Sequence, residues 1–144
     1  MLRQMATDEK LESIKTVPLF ATCDDREIER LGMLVEEVEL PAGRVLFNEG
    51  ETAQELFIIL SGQVRVERKG VVLATRGPGE FFGEIALVAE GARTATATCL
   101  TSCRLLVLGH RDFHSLMDEF PSLKMRVLET LARRVRTLDT VSVH

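Results

Sequence analysis

No apolar run in the sequence approaches the roughly 20 residues needed to cross a bilayer, and Met1-Leu2-Arg3-Gln4-Met5 has no signal-peptide core. The chain is therefore expected to be cytoplasmic, without a membrane span. A basic excess is missing as well. The 18 Lys and Arg stand against 22 Asp and Glu, a net charge of −4 with a pI near 5.4. That balance argues against direct DNA or RNA binding by this chain, because free-standing nucleic-acid binders carry a basic face.

Cysteine and histidine are scarce. Cys23, Cys99 and Cys103 make an odd count, with neither metal spacing nor a histidine cluster nearby, and they read as reduced, partly buried thiols. Cys99 and Cys103 flank Leu100-Thr101-Ser102, a turn across which they can approach each other. His110 and His114 lie at helical spacing, but with His144 they make no metal triad, so no metal is expected. No serine or cysteine nucleophile sits in a recognisable context with a histidine base, and no catalysis is expected.

What is present suits one domain: 144 residues, 45% of them hydrophobic, can bury a sizeable core. A short polar helix is expected over residues 8–14, ended by Val17-Pro18-Leu19-Phe20. Asp24 then caps a second helix, with Glu27 three residues on as in a capping box. Ile28, Leu31 and Val35, with Leu34 at the edge, form its apolar stripe.

Short strands follow at 38–40, 44–47, 56–60, 63–68, 71–74, 94–99 and 104–108. Pro41-Ala42-Gly43, Asn48-Glu49-Gly50, Ser61-Gly62, Lys69-Gly70 and Gly77-Pro78-Gly79-Glu80 punctuate them. The unbroken apolar run 56–60 reads as a buried strand, whereas 63–68 alternates and leaves one face wet. Many short strands with frequent glycine mean an antiparallel sandwich or jelly roll. Metal-dependent jelly-roll enzymes need histidines converging from the strands, and these strands carry none.

Beyond residue 109 the period becomes helical. Residues 111–117 form a short helix, Phe120-Pro121 breaks it, and Ser122 is expected to cap a longer one. Its apolar stripe would be Leu123, Val127, Leu128, Leu131, Val135 and Leu138, with Arg126, Arg133, Arg134 and Arg136 largely opposite. At about 1.5 Å per residue that helix is about 25 Å long, enough to lie across the mouth of a pocket. The fold class is thus mainly β with flanking α-helices: helical residues 1–37, a β-roll over 38–109, and C-terminal helices over 110–140, all in a single domain 1–144.

The chemistry is concentrated in residues 81–96. Gly83 offers no side chain to block close approach of a ligand, and Glu84-Ile85-Ala86-Leu87 can wind into one helical turn whose unpaired N–H groups attract an anion. Arg93 brings an always-charged planar fork matched to two phosphate oxygens, and Thr94 adds a neutral donor. Glu84 would repel a phosphate, so it suits the hydroxyls of an attached sugar. The constellation points to a sugar phosphate.

Phe82-Gly83-Glu84-Ile85-Ala86-Leu87, followed by Arg93-Thr94-Ala95-Thr96-Ala97, closely resembles the phosphate-binding cassette of the cyclic-nucleotide-binding domain family. That family includes the bacterial catabolite activator protein, protein kinase A regulatory subunits and nucleotide-gated channels. The resemblance implies an antiparallel jelly-roll β-barrel with N-terminal helices and a C-terminal lid helix pair. It implies cyclic AMP as ligand, with cyclic GMP the alternative, and no other cofactor. By the same resemblance Gly83 and the amides near Ile85 and Ala86 hold the cyclic phosphate. Glu84 takes the ribose 2′-hydroxyl, Arg93 pairs with the phosphate, and Phe82, Thr94 and Ala95 complete the ligand-binding set. Thr94 matches a hydroxyl that in channels reaches the guanine amino group. Many members have proline before the arginine; Ala92 here loosens the loop without removing a ligand contact.

In related domains the last helix covers the base, and its motion is the output. Leu131, Arg134 and Leu138 are the lid candidates, with packing on the barrel or on a second subunit as the other reading. Bacterial transcription factors of the family continue into a helix-turn-helix domain, whereas this sequence stops at Val141-Ser142-Val143-His144. The chain is expected to be either a free-standing sensor or one domain of a larger protein, acting on an effector domain or partner outside it, and able to form a homodimer through the C-terminal helix. The alternative is a nucleotide-free domain of the same fold that holds a protein partner.

Overall fold

The structure, a computed structural model, describes residues 8–83 and 91–143, with side chains described up to Arg134. Two helices open it, α1 (Asp8–Lys15) and α2 (Asp25–Leu34), separated by a 3-10 turn, Pro18–Phe20. Asp24 caps α2 as expected: its Oδ1 accepts from the Glu27 amide at 2.9 Å, and Glu27 Oε1 accepts from the Asp24 amide at 2.9 Å. Asp24→Ala is expected to cost about 1 kcal/mol, lowering the calorimetric unfolding midpoint by about 2–5 °C. An unchanged midpoint would mean that the box contributes nothing here.

Eight strands follow: β1 (Glu36–Leu40), β2 (Val45–Phe47), β3 (Glu55–Ser61), β4 (Val64–Arg68), β5 (Val71–Arg76), β6 (Phe81–Phe82), β7 (Thr96–Cys99) and β8 (Cys103–Gly109). They form two antiparallel four-stranded sheets, ordered β1-β8-β3-β6 and β2-β7-β4-β5. Helices α3 (His110–Glu119) and α4 (Pro121–Val143) close the chain. Among the described residues no helix is long and apolar enough to cross a membrane.

The apolar run in β3 lacks alternation because both its faces are covered. Phe57 pairs with Val107 and Ile58 with Leu106 across the β3–β8 ladder. Leu56, Ile58, Leu106 and Leu108 then face a cluster with Ile14, Ile28, Leu31, Phe113 and Leu116 of the helices. Phe57, Ile59 and Leu105 face the other way, between the sheets, with Val64, Phe82 and Ala97. Alternation survives only where one face meets water, and here the helices remove that face.

The Lys69-Gly70 hairpin forms as expected, and the differences from the expected strands are short ones. Lys69 and Gly70 both take positive φ, 49° and 80°, the combination that a two-residue hairpin needs to follow strand twist. Phe81–Phe82 pairs with β3, but two residues carry no readable period. Strand β7 starts at Thr96 rather than at residue 94.

Ser122 is not the cap of the long helix. Pro121 takes the first helical position, where its missing N–H costs nothing, and the Phe120 carbonyl accepts from Leu123 and Lys124. Over 23 residues α4 runs about 35 Å. Its expected faces also need correction. Leu123 and Val127 are buried and Leu131 is partly so, but Leu128 is exposed; Val135, Arg136 and Leu138 have side chains outside the described set. Arg126 faces inward, donating from Nε to the Leu19 carbonyl (3.1 Å) and from Nη2 to Cys23 Sγ (3.2 Å).

Candidate functional site

Arg93 is placed by its backbone before its side chain does anything. Residues 50–53 run antiparallel to 91–93. The Arg93 amide donates to the Glu51 carbonyl at 2.7 Å, and the Gly50 amide donates to the Arg93 carbonyl at 2.9 Å. Thr52 and Ala92 face each other in the bridge between the Arg93–Glu51 bond and that from the Ala53 amide to the Gly91 carbonyl (3.4 Å), so Ala92 is pinned through its neighbours. A proline there would lose no hydrogen bond of this ladder, and alanine preserves the pairing equally well.

The Arg93 side chain turns inward and is only 5% exposed. Nη1 donates to the Gly83 carbonyl at 3.0 Å and Nη2 to the Glu55 carbonyl at 2.7 Å. The guanidinium lies 4.0 Å from the Phe47 ring centroid and 5.9 Å from that of Phe57. Phe57 stacks on Phe82 at 5.3 Å and 9°, and Phe47 tilts against both at 5.7 and 6.1 Å. A cation taken from water needs such carbonyls and ring faces to offset its lost hydration.

Gly83 is required here on two counts. Its φ is +86°, a conformation that side chains oppose, and an added Cβ would sit 2.6 Å from Arg93 Nη1 and 3.3 Å from the Glu55 carbonyl oxygen. The glycine therefore sets how closely the guanidinium approaches the chain.

The other candidate residues divide. Phe82 is buried in the aromatic stack and Ala95 is buried beside Arg93, while Thr94 is exposed and its carbonyl accepts from Arg68 Nε at 2.8 Å. Glu84, Ile85 and Ala86 lie outside the described residues, as does the side chain of Leu138. Leu131 packs against the helix-side core. Arg134 packs on the barrel: it donates to the Phe81 carbonyl, and its guanidinium lies 4.5 Å from the Phe81 ring centroid. The long helix is thereby pinned two residues before Gly83.

Four participants were missed from sequence. Phe47 and Phe57 read as ordinary core residues, and the Glu55 and Phe81 carbonyls carry no side-chain signal at all. Among the described residues no group of three histidine, cysteine, aspartate or glutamate side chains is placed to hold a metal.

Two antiparallel sheets, helices over one of them, and a buried arginine held against a positive-φ glycine define a β-roll of the cyclic-nucleotide-binding-domain type. The family profile "Cyclic nucleotide-binding domain" matches residues 37–120, and the chain belongs to that family. It is 33% identical over 131 residues to the cyclic AMP receptor protein of Thermus thermophilus, covering 88% of this chain and 61% of that one. The crystal structure of the Thermus thermophilus catabolite activator protein superposes with a TM-score of 0.76 at 33% identity, covering 85% of this chain and 60% of the other. The regulatory domain of Toxoplasma gondii protein kinase A, co-crystallised with cyclic AMP, matches with a TM-score of 0.70 at 27% identity, over 76% and 45% of the two chains. This chain thus spans about three fifths of the length of its Thermus relatives.

Proposed function

We propose that the chain is a sensor that binds cyclic AMP at Arg93 and Gly83 and reports occupancy through the position of α4. The carrying observation is the buried Arg93 fork, aligned by the Gly83 and Glu55 carbonyls at the start of residues 84–90. A guanidinium already desolvated and oriented loses little further freedom on meeting a phosphate, which favours tight pairing. Glu84 supplies the ribose contact in this reading, and the amides near Ile85 and Ala86 the phosphate contacts. The choice of cyclic AMP is supported by what the Thermus thermophilus relative is named for and what the Toxoplasma gondii domain holds.

Calorimetric titration with cyclic AMP, cyclic GMP and linear AMP tests the reading. Cyclic AMP is expected to bind at micromolar concentration or below and linear AMP far more weakly. Absence of binding by folded protein would pass the fold to the nucleotide-free alternative. Thr94→Ala separates the two cyclic ligands: a loss confined to cyclic GMP would overturn the preference for cyclic AMP.

The output in this proposal is a population shift, and nucleotide biases α4 only by the difference in its affinity for two helix positions. Arg134 links that helix to Phe81. Arg134→Ala is expected to weaken cyclic AMP binding by about 2- to 30-fold, the range of about 0.5–2 kcal/mol found for coupling residues, with little loss of thermal stability. Unchanged affinity would remove Arg134 from the mechanism. Met125 and Leu128 leave apolar surface exposed on α4, which supports a homodimer through this helix; sedimentation of wild type against Leu128→Asp checks it.

A further inference from the structure

We infer that Cys99 and Cys103 form a dithiol site that closes to a disulfide by exchange with a low-molecular-weight disulfide such as oxidised glutathione. Cys99 ends β7 in one sheet and Cys103 begins β8 in the other, so the pair spans the corner where the chain changes sheets. Both thiols are free and buried, and they share the inter-sheet cluster.

The corner that carries both thiols is tightly held. The Gln63 carbonyl accepts from the Leu100 amide at 2.8 Å and from the Cys103 thiol at 3.4 Å. Gly62 packs so closely beneath that an added Cβ would lie 2.3 Å from the Ser102 carbonyl oxygen. Burial first, then the neighbouring Cys103 thiol, pushes the Cys99 thiol up to about 11, while the Cys103 thiol donates to the Thr101 carbonyl at 3.3 Å. Cys103 also lines an open depression of about 430 Å³ bordered by Pro41, Ser61, Ser102 and Arg104, a route by which a small disulfide reaches it.

These features set the order of events. Cys103, as thiolate, attacks one sulfur of the reagent; the reagent's S–S bond breaks and one thiol departs with a proton. Cys99 then loses its proton and attacks the Cys103 sulfur, expelling the second thiol. Two protein thiols are oxidised by two electrons, and the reagent is reduced to two thiols. Cys99, which does not line the depression and whose thiol is raised by burial, is a poor first nucleophile, and its place at the other end of the same corner makes it the second one.

The test equilibrates the folded full chain with glutathione buffers of graded disulfide-to-thiol ratio, quenches in acid, alkylates with N-ethylmaleimide and maps the peptides by mass. A species lighter by two hydrogens, linked between Cys99 and Cys103 with Cys23 alkylated and reversed by dithiothreitol, is expected. Cys23→Ser should close identically, and Cys99→Ser should stop at a glutathione adduct on Cys103. Both thiols remaining alkylatable, an adduct that never closes in the wild type, or a link that forms only in urea would each overturn the site. None of these outcomes depends on nucleotide binding.

Discussion

Arg93→Ala is expected to lower cyclic AMP affinity by a factor of tens to thousands, equivalent to about 2–5 kcal/mol for truncating one partner of a buried charge pair. The size follows from where the guanidinium sits. At 5% exposure it has already given up its water, and the Gly83 and Glu55 carbonyls fix its plane, so a replacement cation would have to be desolvated and oriented afresh. Arg93→Lys keeps the charge but loses the fork and should recover only part of the affinity.

The same substitution leaves two carbonyls to find new donors, which costs stability by about 1–3 kcal/mol. Calorimetry must therefore be read beside the unfolding midpoint. A folded Arg93→Ala protein that binds cyclic AMP as the wild type does would end the assignment of this site.

Gly83→Ala is expected to have the second-largest effect on binding, and it is best measured against Gly62→Ala. Both glycines have positive φ, +86° and +93°, so each alanine carries strain of about 1–3 kcal/mol. Their neighbours differ. At Gly83 the new Cβ meets Arg93 Nη1 at 2.6 Å, the end of a side chain that can move, and moving it takes the fork away from the ligand. At Gly62 it meets the Ser102 carbonyl oxygen at 2.3 Å, backbone that cannot yield cheaply.

Gly83→Ala should thus weaken cyclic AMP binding tenfold or more with a moderate drop in midpoint. Gly62→Ala should lower the midpoint further, while the protein that remains folded at low temperature keeps near-normal affinity. Equal binding losses in the two variants would show that global destabilisation, rather than the position of Arg93, controls affinity.

Most of the β-roll was legible in the sequence, because turn residues and apolar runs are local signals. The strand lost was Phe81–Phe82, too short to show a period, and the helix start misplaced was Ser122, where Pro121 outranked a hydroxyl cap. The faces of α4 were harder. Helical spacing placed Leu128 with the core, yet the structure exposes it, and it put Arg134 opposite the apolar stripe as a lid or barrel contact, of which the structure shows the contact to Phe81 of the barrel. An arginine's long apolar stem lets it cover a surface while its head finds a carbonyl, so its charge does not decide its side.

By itself the sequence determined the class of fold, the capping of α2 by Asp24 and Glu27, and the family to which residues 82–97 belong. Each rests on side-chain types at fixed local spacing. Only the tertiary structure decided how Arg93 is held, that α4 is pinned to the strand before Gly83, and that Cys99 and Cys103 are both buried at a corner between two sheets. Those depend on backbone carbonyls of Glu55, Phe81, Gly83 and Gln63. Every residue has such an oxygen, so no sequence pattern marks which ones will be used.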